Sequence, residues 1–304
     1  MKRYLLLATL FAALAGALPA WAQKTPLSVG YIGTAELMPL IAAKEKGIFD
    51  KHGLDVTITR IQLASTVPSA IVSGNLQIGM GTGPMLLQTA DAGLGFVAVG
   101  AIAHMTKQDP PASLVARSGF KVSSAADLKG RKIGVPGFNS MFHVIFQKWL
   151  LDHGVQPKEV TMIETVFPQM GDQLKGGTLD AVLVIEPFRS RIVGSGMGTK
   201  VSDFVADVNP DIVSAYWMAK ADWVASNAAT VRAFREAYAE AIDWALKNRS
   251  EIQAMEVKIL GAPAPSVPTY KAQISAADFA PYARMGQELH LFRQPIDVDK
   301  LVAK

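Results

Sequence analysis

The sequence predicts an α/β protein of two similar lobes, each a mostly parallel sheet flanked by helices. A weak internal repeat at an offset of about a hundred residues carries the first half of that expectation. Val29-Gly30-Tyr31-Ile32 is answered by Ile133-Gly134-Val135-Pro136, and Lys51-His52-Gly53-Leu54 by Asp152-His153-Gly154-Val155. Ser73-Gly74-Asn75-Leu76 is answered by Gly176-Gly177-Thr178-Leu179, and Gly83-Pro84 by Glu186-Pro187. The second observation is the order within each copy: strand, helix, Gly-closed turn, strand, helix, strand, the signature of parallel β-α-β units. Ligands in open α/β sheets bind outside the carboxyl ends of the strands, so two facing lobes would close their strand-end loops around one guest.

Each element follows in order. Leu27–Ile32 alternates and is rich in β-formers, a first strand. The next helix carries Leu37, Leu40 and Ile41 at helical spacing and stops near Gly47. Gly53 turns the chain into a strand over Leu54–Ile61. Ser65-Thr66 is positioned to cap a helix over Val67–Ser73, and Leu76–Met80 is the third strand. A strand over Phe96–Ala103 ends the first lobe's leading part, and Ser113–Ala116 crosses into the second. There Arg131–Val135, Glu159–Glu164 and Ala181–Ile185 are the matching strands, with Asn139-Ser140 capping a helix over Met141–Asp152. Ile212–Ala219 returns to the first lobe. The remainder reads as helical, with a stripe of Val231, Phe234, Tyr238, Ala241 and Ala245 and a Pro-rich loop at Gly261–Pro268. The expected organisation is lobe 1 from residues 23–112 and 216–304, lobe 2 from 113–215, with two strands crossing between them.

The first residues read as a targeting segment. Met1-Lys2-Arg3, an apolar stretch from Tyr4 to Leu18 and the Ala20-Trp21-Ala22 exit describe a secretory signal over 1–22, cleaved after Ala22. The 304 residues contain no cysteine. That removes thiol nucleophiles, thiolate metal sites and a lipid-bearing Cys, so the export expected is into the periplasm without a Cys-linked lipid. The formal charge of +4 falls to +2 once Lys2 and Arg3 are gone, and no long basic run remains, so nucleic acid is not an expected partner. The five histidines lack zinc spacing, and no metal or cofactor is expected. Ser118-Gly119-Phe120-Lys121 matches a Ser-x-x-Lys nucleophile motif but lies in a Gly-containing loop without its companion motifs. Gly79-Met80-Gly81-Thr82-Gly83 follows a strand but lacks the later Gly and the acid of a dinucleotide fingerprint.

Several stretches resemble one family. They are Ala43-Lys44-Glu45-Lys46-Gly47-Ile48-Phe49 with Gly53-Leu54-Asp55-Val56, Ala70-Ile71-Val72-Ser73-Gly74, Asp127-Leu128-Lys129-Gly130-Arg131-Lys132-Ile133-Gly134-Val135, and Asp180-Ala181 with Glu186-Pro187-Phe188. In this order they are similar to the periplasmic substrate-binding proteins of ABC importers in the nitrate, sulfonate and taurine branch, related to thiamine-pyrimidine-type binding proteins. The resemblance implies a type II-like periplasmic binding protein fold and a monomer that traps a small molecule between its lobes and hands it to an ABC permease. By position it places ligand-binding residues at Tyr31, Thr34, Ser65, Thr66, Thr82, Gly83, Asn139, Ser140, Glu186 and Arg189.

Residue chemistry supplies the rest of the expectation. Helix starts and Arg189 suit a small organic anion such as a sulfonate or carboxylate. Phe138 and Trp217 offer aromatic faces for stacking, or core packing. Phe138-Asn139 stands where small hydroxyl residues are common in the family, pointing to a larger, flatter guest, and Glu186 leaves an amine or pyrimidine-type heterocycle open. An exported enzyme or a ligand sensor on the same fold are the alternatives. The family's fungal pyrimidine synthase uses a cysteine-rich segment that this chain lacks.

Overall fold

The computed structural model describes residues 23–303, so the signal segment read at 1–22 lies outside the described residues. Among the described residues, eleven strands form two sheets. They are β1 Thr25–Ile32, β2 Leu54–Ile61, β3 Ile78–Gly81, β4 Phe96–Thr106, β5 Ala112–Arg117, β6 Lys132–Val135, β7 Thr161–Glu164, β8 Ala181–Ile185, β9 Gly198–Ser202, β10 Asp211–Lys220 and β11 Thr269–Tyr270. The six-stranded sheet runs β11-β4-β10-β3-β1-β2, and the five-stranded sheet runs β7-β6-β8-β5-β9.

The repeat is real in three dimensions. β2-β1-β3 and β7-β6-β8 are matching parallel blocks, with Gly30 paired to Gly79 and Gly134 to Val182. A Cβ on Gly30 would run into Leu76 Cδ1, and one on Gly134 into Leu179 Cδ1. Both lobes thus use a glycine in the central strand to seat the leucine that precedes the next strand. The rest of each sheet is antiparallel, so the sheets are mixed. The reason is a strand exchange: β5, which follows β4, joins the second sheet beside β8, while β10, which follows β9, joins the first beside β3. β10 enters the six-stranded sheet at Asp211.

The two connections at the hinge are not themselves strands. Residues 107–111 contain Pro110 and Pro111, and the return passes a short helix Phe204–Val208 before Pro210. Proline has no N–H for a ladder, so pairing lapses there. What remains is Lys107 N–H donating to Pro210 O (2.9 Å) and Glu186 N–H donating to Pro111 O (3.0 Å). β9 and β11, unannounced by the sequence pattern, extend the outer edges of the two sheets.

Helices cover both sheets. The helix Ala228–Lys247 buries Val231, Phe234, Ala237, Tyr238, Ala241, Ile242 and Ala245, the stripe its sequence spacing predicts. Among the described residues no helix is long and apolar enough to cross a membrane.

Candidate functional site

A small cavity lies where the strand ends of the two lobes meet. The first lobe contributes Ile32 at the end of β1 and Thr34 beyond it, Met80 in β3 and Thr82 just after it, and Ser214 on β10. The second contributes Pro136, Ser140 and Phe142 around the start of the helix Met141–Asp152, Phe167 at the start of the helix Phe167–Lys175, and Ile185. The walls are mainly apolar, and Met80, Met105 and Met141 give them adaptable surface.

Few polar groups reach this cavity, and they converge. Thr34 and Thr82 both occupy N-cap positions with extended backbone, where their hydroxyls should accept from a helix N–H. Neither does. Thr34 Oγ1 and Thr82 Oγ1 are buried without any protein partner, in residues only 3% and 4% exposed. Buried hydroxyls are nearly always hydrogen-bonded, and leaving one unmade costs about 1–3 kcal/mol, so two on one cavity mark a place built for a guest.

Glu36 is the third group, and the sequence reading missed it. An acid in the first helical turn is an ordinary electrostatic complement to the helix dipole, so nothing set it apart. The structure buries its carboxyl against the cavity, where Ser214 Oγ donates to Oε1 (2.7 Å). Ser214 falls where the β10–β4 register slips between Val213 and Ala215, and such irregularities re-aim side chains. Burial pushes the Glu36 carboxyl up to about 7, against a smaller opposing effect of the Ser214 hydrogen bond. Ser140 lines the opposite wall; it caps its helix by accepting from His143 N–H (3.5 Å) and donates to Gly137 O (2.6 Å).

Other expected site residues lie around this core or away from it. Ser65, Phe138 and Asn139 share a separate interlobe groove with Gln88 and Leu94. Asn139 adopts a left-handed backbone (φ 61°), and its N–H donates to His143 Nδ1 (3.1 Å). Burial brings the His143 imidazole down to about 4, only partly offset by the Glu164 charge, so the ring is neutral, with Nδ1 facing the Asn139 N–H and Nε2 2.8 Å from Gln147 Nε2.

Glu186 is buried beside a second chamber rather than in the main cavity. Its carboxylate pairs with Arg189 and accepts from Ser190 Oγ (2.9 Å). Arg189 is committed to Glu186, to Pro110 O (2.6 Å) and to Ser113 Oγ (3.2 Å), tying the hinge connection to the second lobe.

Thr66 is exposed, and its hydroxyl donates back to Leu63 O (2.8 Å) because a turn of 3-10 helix already starts at Ala64; it does not cap the following helix. Gly83 makes room for the ring of Tyr282. Trp217 packs edge-on against Phe234 and Tyr238 in the core, and Tyr31 lies in β1 beside Arg60; neither lines the cavity.

The lobes meet in this structure. A Cβ on Gly137 would stand 3.1 Å from Ala64 Cβ and 3.2 Å from the Ser65 nitrogen, and Lys148 Nζ reaches Glu288 across the lobes (3.0 Å).

The family model described as "NMT1/THI5 like" matches residues 34–252. The nitrate/nitrite binding protein NrtA of Nostoc is 24% identical over 76% of this chain and 56% of its own length. The bicarbonate transport ATP-binding protein CmpC of Synechocystis is 28% identical over 59% of this chain and 29% of its own. The chain thus spans well under two thirds of these curated relatives. Among solved structures, the alkanesulfonate-binding protein SsuA of Xanthomonas axonopodis bound to MOPS superposes with a TM-score of 0.76 at 16% identity, over 92% of this chain and 97% of that one. The periplasmic nitrate-binding protein NrtA of Synechocystis gives 0.68 at 21% identity, over 79% and 68%. The fold is that of the periplasmic binding proteins.

Proposed function

The chain belongs to the NMT1/THI5-like family, and from that premise we propose that it is the solute-binding component of an ABC importer. In this reading it works as a monomer in the periplasm, closes on one small molecule and presents it to a membrane permease. The relatives named as transport ATP-binding proteins and as nitrate-binding proteins support the importer assignment. The observation that carries the binding role is the pair of buried, partnerless hydroxyls of Thr34 and Thr82 on a cavity to which both lobes contribute.

The same cavity decides between guests. A small organic anion would be served by the helix starts at Thr82 and Ser140. However, no lysine or arginine lines the cavity among the described residues, Arg189 is spent at the hinge, and the Glu36 carboxyl faces inward. An anion would have to sit beside that carboxyl without a paired cation. A compact, largely apolar heterocycle of the pyrimidine type, offering an N–H to Glu36 and an acceptor to the threonine hydroxyls, matches the lining better.

Capture rather than turnover is the assigned role. Thermal-shift screening of pyrimidines, aromatic carboxylates, sulfonates and nitrate should yield a guest that is recovered chemically unchanged after prolonged incubation. At 100 times its dissociation constant it should stabilise the protein by roughly 2.7 kcal/mol. Small-angle scattering should show the radius of gyration fall on binding. A guest bound by calorimetry with no compaction would sink the clamp, and a guest consumed on incubation would return the protein to the enzymes.

A further inference from the structure

Beyond Glu36 the cleft continues. Glu36 and Ile185 wall the main cavity on one side and a second, small chamber on the other. The second chamber is built rather than incidental. Its outer wall is the loop from Ala264 to Thr269, held by a buried ion pair: Arg249 Nη1 meets Glu256 Oε1 (2.8 Å), Glu256 Oε2 accepts from Ala264 N–H (2.8 Å), and Arg249 Nη2 donates to Ala264 O (2.9 Å). Prolines at 263, 265 and 268 stiffen the same loop.

The ionisable lining is acidic. Asp109, on the first hinge connection, has no ion-pair partner among the described residues. Glu186 is matched by Arg189, whose other contacts turn its guanidinium toward Pro110 and Ser113. His104 is tied to Asp211. Glu36, nine-tenths buried, receives one hydrogen bond, at Oε1, and none at Oε2. An anionic substituent here would lie beside Glu36 and Asp109, neither of which has a cation paired to it, and an apolar one would leave Glu36 Oε2 unmatched. A positively charged nitrogen satisfies both.

We infer that the guest is bipartite: a compact, mostly apolar head in the main cavity and, past Glu36, a substituent bearing a protonated nitrogen that lies between Glu36 and Asp109. This rests on the interlobe cavity being the binding site, and the test separates the two claims.

A thermal-shift and calorimetry panel would use matched triplets, each aromatic or heteroaromatic head carrying an ammonium, a neutral alcohol or a carboxylate. The ammonium member should be the tightest of its triplet. Glu36→Gln, which can still accept from Ser214, should weaken that member by about tenfold or more and the alcohol far less. Asp109→Asn lies on an exposed connector and remains informative should Glu36→Gln fold poorly. It should cost the ammonium member a few-fold in low salt and less at high salt. A panel led by alcohols or carboxylates, or one in which no ammonium member binds, overturns the inference. So does an ammonium-to-alcohol preference untouched by Asp109→Asn at low salt. Thr82→Val must weaken whichever guest binds; if it does not, the main cavity itself is wrongly assigned, whatever the charge preference.

Discussion

Thr34 and Thr82 are the residues whose mutation separates binding from folding most cleanly. Their hydroxyls are desolvated and unpaired without a guest, so replacing either by the isosteric valine should leave apo melting unchanged or raise it. The same change should weaken the guest by about 2- to 12-fold, the equivalent of one neutral hydrogen bond at about 0.5–1.5 kcal/mol. A variant that melts early and binds normally would make the hydroxyls structural. Glu36 gives the second residue-scale prediction. Its carboxyl is raised from 4.5 to about 7, so between those values the native state holds a proton the unfolded chain has lost. Stability then falls as pH rises through that window, by on the order of 3 kcal/mol in all, and Glu36→Gln should remove that fall. His143 acts with the opposite sign: lowered from 6.5 to about 4, it is neutral in the native state where the unfolded chain is charged, and stability is lost as pH falls from 6.5 to 4. Urea melts at pH 5 and pH 8 for wild type and Glu36→Gln check the first claim; an unchanged difference between the two pH values would show that Glu36 does not carry it.

At the scale of elements, what could be read from the sequence was what neighbouring residues decide. The Gly53 turn placed β2 at Leu54–Ile61 to the residue, and the apolar stripe placed the helix Ala228–Lys247. The repeat was legible because Gly30 and Gly134 must each accommodate a leucine, a constraint that acts on sequence directly. Pairing across the lobes left no such local trace. β9 is short and polar on its outer half, β11 has two residues, and the positions of β5 and β10 beside β8 and β3 depend on partners distant in the chain. The candidate site divides the same way. Thr34, Thr82 and Ser140 sit at strand-to-helix junctions, and position alone marked them as candidates that the structure places on the cavity. Glu36 reads as an ordinary first-turn acid, Ser214 needs the β10 irregularity to aim it, and Arg189 looked free because its hinge partners lie in other segments.

For the molecule as a whole, closure depends on how near the lobes can come. Gly137 lies over Ala64 and Ser65 with room for a hydrogen but little for a methyl group. Gly137→Val should hold the lobes apart: guest affinity drops by about tenfold or more, and the scattering curve with guest stays that of the open form. Isothermal titration beside scattering checks this, and full affinity with full compaction would show that the contact does not limit closure. Closure by rigid lobes about paired connectors is a hinge motion, and Arg189 anchors one side of that hinge to Pro110.

The returning strand makes the first lobe depend on chain made after the second. A cut at residues 107–111 would leave β10 seated between β3 and β4, so the severed pieces stay interlocked as one particle. During synthesis the open edge of β3 waits for a strand that is not made until the second sheet has been encoded. The strands β1 to β4 therefore have no finished fold of their own: the first lobe is completed only after the second, whose five strands run unbroken from Ala112 to Ser202.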